Sequence, residues 1–117
     1  MASKTIYDGW CEVMEKLLAE VRAEMLNELN RAEMKYGRKH NSPHEAYGVL
    51  KEEYEEAIEE AESLYNSINA FWEKVKHDQC ADLELEDIRK NAIHLAAEAI
   101  QTAAMAEKAL RGYDWQS

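Results

Sequence analysis

The chain has 117 residues, 46% of them hydrophobic, and a formal net charge of −10. That length holds one domain with one core, residues 1–117. So acidic a surface repels phosphate backbones, which excludes nucleic acid as an expected partner.

One Pro and four Gly leave few breaks, and Ala, Glu, Leu, Lys and Met are plentiful, so the expected fold is all-α. No apolar run approaches the ~18 residues of a membrane span. The start, Met1-Ala2-Ser3-Lys4-Thr5, lacks the apolar stretch of a signal peptide. Cys11 and Cys80 stand far apart in no metal-spaced motif. A reduced, cytoplasmic protein is expected.

The first helix is predicted from about Tyr7 to Lys35. Its apolar stripe is Trp10, Val13, Met14, Leu17, Val21, Met25, Leu29 and Ala32, at spacings of three and four. Gly37 supplies a left-handed stop. The connection Arg38-Lys39-His40-Asn41 gathers positive charge.

The second helix opens on Ser42-Pro43-His44-Glu45, with Ser42 as N-cap, Pro43 in the first position and Glu45 three residues on. It is predicted to run to about His77. Tyr47, Leu50, Tyr54, Ala57, Ala61, Leu64, Ile68, Phe71 and Val75 form a heptad-like seam. Such a helix is roughly 50 Å long, against a diameter nearer ~30 Å for a compact monomer. It must therefore bend or break, near Asn66–Asn69, or extend into an oligomer.

Residues 77–82 are a predicted loop, and the third helix a predicted span from about Glu84 to Leu110, stopped at Gly112. Ile88, Ala92, Leu95, Ala99, Thr102 and Ala106 form one stripe. Ile93, Ala96, Ala97, Ile100, Ala103 and Ala104 form another, so this helix is expected at the centre of a bundle. Three long antiparallel helices make a thin monomer, and a dimer or dimer of dimers would bury the remaining faces.

Two polar groupings carry chemistry. Glu52, Glu53 and Glu56 fall within about 100° of one helix face. Their mutual repulsion must be screened by water or offset by a cation, and oxygen-only ligands favour Mg²⁺ or Mn²⁺. On the third helix, Asn91, His94, Glu98 and Gln101 form a polar stripe in steps of three and four. Either this stripe is a solvated face with an ordinary His94–Glu98 pair, or it faces the glutamates and completes a metal site between helices.

The run Ser42-Pro43-His44-Glu45-Ala46-Tyr47-Gly48-Val49-Leu50-Lys51-Glu52-Glu53-Tyr54-Glu55-Glu56, followed by Arg89-Lys90-Asn91-Ala92-Ile93-His94-Leu95-Ala96-Ala97, resembles the MazG-like all-α nucleoside triphosphate pyrophosphohydrolases. That family carries E-E-x-x-E on one helix and E-x-x-D on the next. The resemblance implies a homo-dimer or homo-tetramer that uses Mg²⁺ to cleave a nucleoside triphosphate between its α- and β-phosphates. Glu52, Glu53 and Glu56 match the first motif. Asn91 and His94 stand at the second by helix context, where Asn and His replace carboxylates, and Glu98 lies two turns beyond Asn91.

On this reading Glu53 and Glu56 hold the metal. Glu52 shares it or activates water, and Asn91, His94 and Glu98 complete the shell. Arg38, Lys39, His44 and Lys90 are candidate phosphate contacts, and Trp10, Tyr47, Tyr54 and Trp72 candidate base walls. Trp115 is a candidate for docking on a partner. Two alternatives stand beside the enzyme: a catalytically weakened relative that binds nucleotide or metal as a regulator, and a ligand-free helical oligomerisation module.

Overall fold

The structure, a computed structural model, describes residues 6–37, 40 and 42–112, with residues 6–8 described for backbone alone. Arg38, Lys39 and Trp115 lie outside the described residues. The remainder forms three helices and, among the described residues, no strand: α1 (Ile6–Tyr36), α2 (Pro43–Lys76) and α3 (Asp82–Gly112).

Local signals set the helix ends. Gly37 takes φ 89° and its N–H returns to the Glu33 carbonyl at 2.9 Å, a left-handed stop that glycine adopts without a Cβ penalty. Ser42 is extended, and its Oγ accepts the Glu45 N–H at 3.1 Å. Pro43 follows where a missing N–H costs nothing. At the other end the His77 and Gln79 N–H groups close on Lys74 O, and Asp78 takes φ 51° as the chain turns back. Helix α2 runs through Asn66–Asn69 without interruption, which decides against a break there.

α3 is central: it packs along α2 and against α1. The α2–α3 pairing is antiparallel and one-to-one. The Asn91 amide donates to Ser63 O at 3.2 Å and Ser67 Oγ at 3.3 Å. His94 Nδ1 lies 3.9 Å from Glu60 Oε2. A turn further, Glu98 stands beside Glu56, with carboxylate oxygens within 4.8 Å.

The packed faces take in only part of the apolar stripes: Leu50, Ala57, Ala61, Leu64 and Phe71 of the predicted α2 seam are half-buried. Tyr47, Tyr54, Ile68 and Val75 of the predicted α2 seam are exposed, while Ala46, Glu53, Glu60 and Ser67 lie on the covered side. On α3 the polar row of Asn91, Glu98 and Gln101 is turned inward, and Ala92, Ile93, Ala96 and Ala99 face outward. The α1 stripe is buried at one end only. Leu29 is fully covered, Met25 and Ala32 are half-buried, and Trp10, Val13, Met14, Leu17 and Val21 are exposed.

The result is extended. The radius of gyration is 19.0 Å, against ~13 Å for a compact domain of this length. The chain exposes 9243 Å², roughly 2,700 Å² more than the about 6,500 Å² expected of a compact monomer of its mass.

Candidate functional site

The antiparallel pairing brings three carboxylates from two helices together. Glu53 and Glu56 of α2 and Glu98 of α3 offer oxygens that all lie within 4.8 Å of one another. One oxygen of Glu53 and one of Glu98 are shut away from solvent with no hydrogen-bond partner. Burial first, then Glu56, Glu98 and Glu52, raise the Glu53 pKa. Burial first, then Glu56 and Glu60, raise that of Glu98, with His94 opposing. Both shifts have one cause, a negative charge held in a poorly solvated place beside others like it.

Such a set suits a hard divalent cation. Carboxylate oxygens are the ligands that Mg²⁺ and Mn²⁺ prefer. A cation held there would give the orphaned oxygens of Glu53 and Glu98 a partner. Glu53, Glu56 and Glu98 are thus the residues that could hold a cation. Glu52 is exposed beside Glu53 and lines the adjoining cleft, outside the triad.

Glu98, not Asn91 or His94, is the α3 residue that meets the α2 glutamates. Asn91 is committed to Ser63 and Ser67, two turns away, where its amide ties α3 to α2. His94 is a half-exposed neighbour one turn off, beside Glu60. Three residues beyond Glu98 stands Gln101, which lines the cleft with Glu52 and Glu53. Glu98-x-x-Gln101 thus occupies the place where Asn91 and His94 were expected.

The cleft, of about 400 Å³, opens where α1, α2 and α3 converge. Its apolar walls are Ala32, Tyr36, Val49 and Met105. None of Trp10, Tyr47, Tyr54 and Trp72 lines it; all four are exposed. His44 and Lys90 are exposed and also lie outside its lining.

Two buried basic residues lie at the far end, His40 and Lys108, each 4% exposed. Burial, then the Lys108 ammonium, lower the His40 pKa, against the opposing effects of Glu45 and a hydrogen bond with the Met105 backbone. Its ordinary value is already 6.5, so the ring is neutral at pH 7. Lys108 continues the α3 polar row in the same steps of three and four: Asn91, His94, Glu98, Gln101, Met105, Lys108. Extending that row by two steps would have found it from sequence.

Comparison of the chain with protein-family profiles, with curated proteins and with solved structures returns no match. Among the described residues, no helix is long and apolar enough to cross a membrane.

Proposed function

We propose that the chain is a Mg²⁺-dependent nucleoside triphosphate pyrophosphohydrolase, converting a (d)NTP and water to a (d)NMP and pyrophosphate. One observation carries the reading: three carboxylates from two helices converge with buried, unpartnered oxygens beside a cleft of ligand size. The spacing supports it. Glu52-Glu53-x-x-Glu56 faces Glu98-x-x-Gln101, the paired-helix pattern of the MazG-like enzymes with Gln in place of the last Asp.

In this mechanism Glu53, Glu56 and Glu98 would hold the cation. When bound, Mg²⁺ would neutralise phosphate charge and fix the triphosphate against the carboxylates. Glu52, at the cleft edge, orients the attacking water and accepts its proton. The water oxygen attacks the α-phosphorus and the bond to the bridging oxygen breaks, releasing pyrophosphate. Catalysis here is mostly positioning and electrostatic stabilisation.

The working unit is a homo-oligomer. Trp10, Val13, Leu17, Leu18 and Val21 make an apolar row on the exposed part of α1. The roughly 2,700 Å² of surplus surface exceeds the ~800 Å² per partner of a standard interface. The two free cysteines, Cys11 and Cys80, accord with a reducing, cytoplasmic setting.

Gln101 favours a second reading, a weakened relative that binds nucleotide as a regulator, because a neutral amide is a poorer Mg²⁺ partner than a carboxylate. One experiment separates the two. Pyrophosphate release is measured from a panel of ribo- and deoxyribonucleoside triphosphates with Mg²⁺ or Mn²⁺, beside Glu53→Gln. Release that vanishes in the variant supports the enzyme. Mg²⁺-dependent binding without release supports the regulator. Neither binding nor release leaves the ligand-free oligomerisation module.

A further inference from the structure

The metal chemistry leaves Lys108 unexplained. Its side chain is buried on the last turns of α3 and lines the cleft. Among the described residues, no carboxylate comes within the 4.0 Å of an ion pair with its Nζ. Its Nζ is not among the enclosed polar atoms that lack a partner, so the ammonium meets water in the cleft, and a ligand that displaces that water must accept a hydrogen bond in its place. Glu28 and Glu45 line the same space without pairing with it, and His40 beside it is neutral at pH 7.

Position narrows what Lys108 serves. Ten residues separate it from Glu98, about 15 Å of helix. That is the length scale over which a nucleoside triphosphate separates its phosphate tail from the edge of its base. The walls between are apolar, with Tyr36 and Met105 among them, as a flat heterocycle requires. A second phosphate is a poor occupant for this cleft, because the carboxylates of Glu28 and Glu45 line the same space against one ammonium. A neutral carbonyl dipole meets no such repulsion and still accepts a charge-assisted hydrogen bond.

Resting on the nucleotide reading above, we propose that Lys108 is a specificity-determining residue that donates a hydrogen bond to a carbonyl oxygen of the nucleobase, so that the cleft selects guanine, uracil, thymine and cytosine over adenine. Adenine has no exocyclic carbonyl. Adenine bound there would strip water from the ammonium without replacing its hydrogen bond, and sites built to donate reject the analogue that cannot accept.

The test is equilibrium binding of the non-hydrolysable α,β-imido analogues of ATP, GTP, UTP and CTP, with Mg²⁺, to the wild-type protein, Lys108→Met and Lys108→Arg. The wild type is expected to bind the three carbonyl-bearing analogues at least about 10-fold tighter than the adenine analogue, the scale of one hydrogen bond to a charged donor. Lys108→Met weakens those three by a similar factor and leaves adenine within about 2-fold. Lys108→Arg retains part of the preference. Thermal melts confirm that each variant folds, and the wild-type ranking tests the proposal with no substitution at all. Equal binding of all four analogues, tightest binding of adenine, or an unchanged preference in Lys108→Met overturns the assignment and leaves the nucleotide reading standing. No binding of any analogue overturns both.

Discussion

Glu53 of α2 and Glu98 of α3 each hold one carboxylate oxygen away from solvent and without a hydrogen-bond partner. Both pKa values lie above the ordinary 4.5, so the folded protein binds these protons more tightly than the unfolded chain. The linked stabilisation is complete below that value and is lost as pH rises through the elevated folded values. In EDTA the melting temperature should fall as pH is raised from 4.5 to about 7. Glu53→Gln should show a smaller fall. Saturating Mg²⁺ should abolish the fall, since the cation takes the place of the protons. Melting curves across pH, with and without Mg²⁺, decide it, and an equal slope in wild type and variant would contradict the burial argument.

Glu53→Gln removes one of several crowded negative charges while keeping the shape of the side chain. It should raise the melting temperature slightly in EDTA and erase the increase that Mg²⁺ gives the wild type. Pyrophosphate release should drop by at least about 100-fold, the scale of removing one strong electrostatic contact from an active site. Glu98→Gln should do the same. If Glu98→Gln retains full turnover, α3 does not contribute the ligand argued for it.

Gln101 and Asn91 separate in their consequences. Gln101→Asp adds a carboxylate at the cleft beside Glu53 and should tighten Mg²⁺ binding and raise turnover. Asn91→Leu removes hydrogen bonds to Ser63 and Ser67 and should cost about 1 kcal/mol of stability with the Mg²⁺ affinity unchanged. Isothermal titration with Mg²⁺ and urea unfolding measure the two effects. A loss of metal binding in Asn91→Leu would restore Asn91 to the metal shell.

The exposed row on α1 should bring copies of the chain together. Sedimentation equilibrium is expected to give a dimer or larger species. Leu17→Glu, which sets a charge in the middle of that row, should shift the distribution toward monomer by at least about 10-fold in the dissociation constant, from the burial of an unpaired carboxylate. A wild-type protein that stays monomeric at high micromolar concentration would remove the oligomer from the reading.

Leu29 is the largest fully buried side chain among those described, at the place where α1 joins the bundle. Leu29→Ala should cost about 2–5 kcal/mol, read by urea unfolding. A small effect would mean that α1 is held elsewhere.

The three helices were legible without coordinates, and their ends to within about two residues (α3 starts at Asp82 rather than Glu84 and runs through Gly112 rather than stopping before it), because they rest on local physics. Ser42-Pro43 starts a helix wherever it occurs, Gly37 stops one, and a chain this rich in Ala, Glu, Leu and Lys has few competing conformations. The cluster of Glu52, Glu53 and Glu56 was legible for the same reason, since residues four apart on one helix share a face in any fold. That the α3 polar row turns inward was one of two readings that spacing left open.

What needed the tertiary structure was register. The facing of Glu98, rather than Asn91, to Glu56 depends on how far α3 slides along α2. A slide of two turns keeps the same face of α3 inward, so periodicity cannot detect it. The exposed Tyr47 and Tyr54 have a related origin. The apolar band of α2 is wider than one neighbour can cover, and the packing of α3 alone decides which edge is buried. The burial of Lys108 and His40 is created by three converging segments together, so for His40 no single stretch of sequence records it, and for Lys108 the one sequence signal was the continued three-and-four spacing of the α3 polar row.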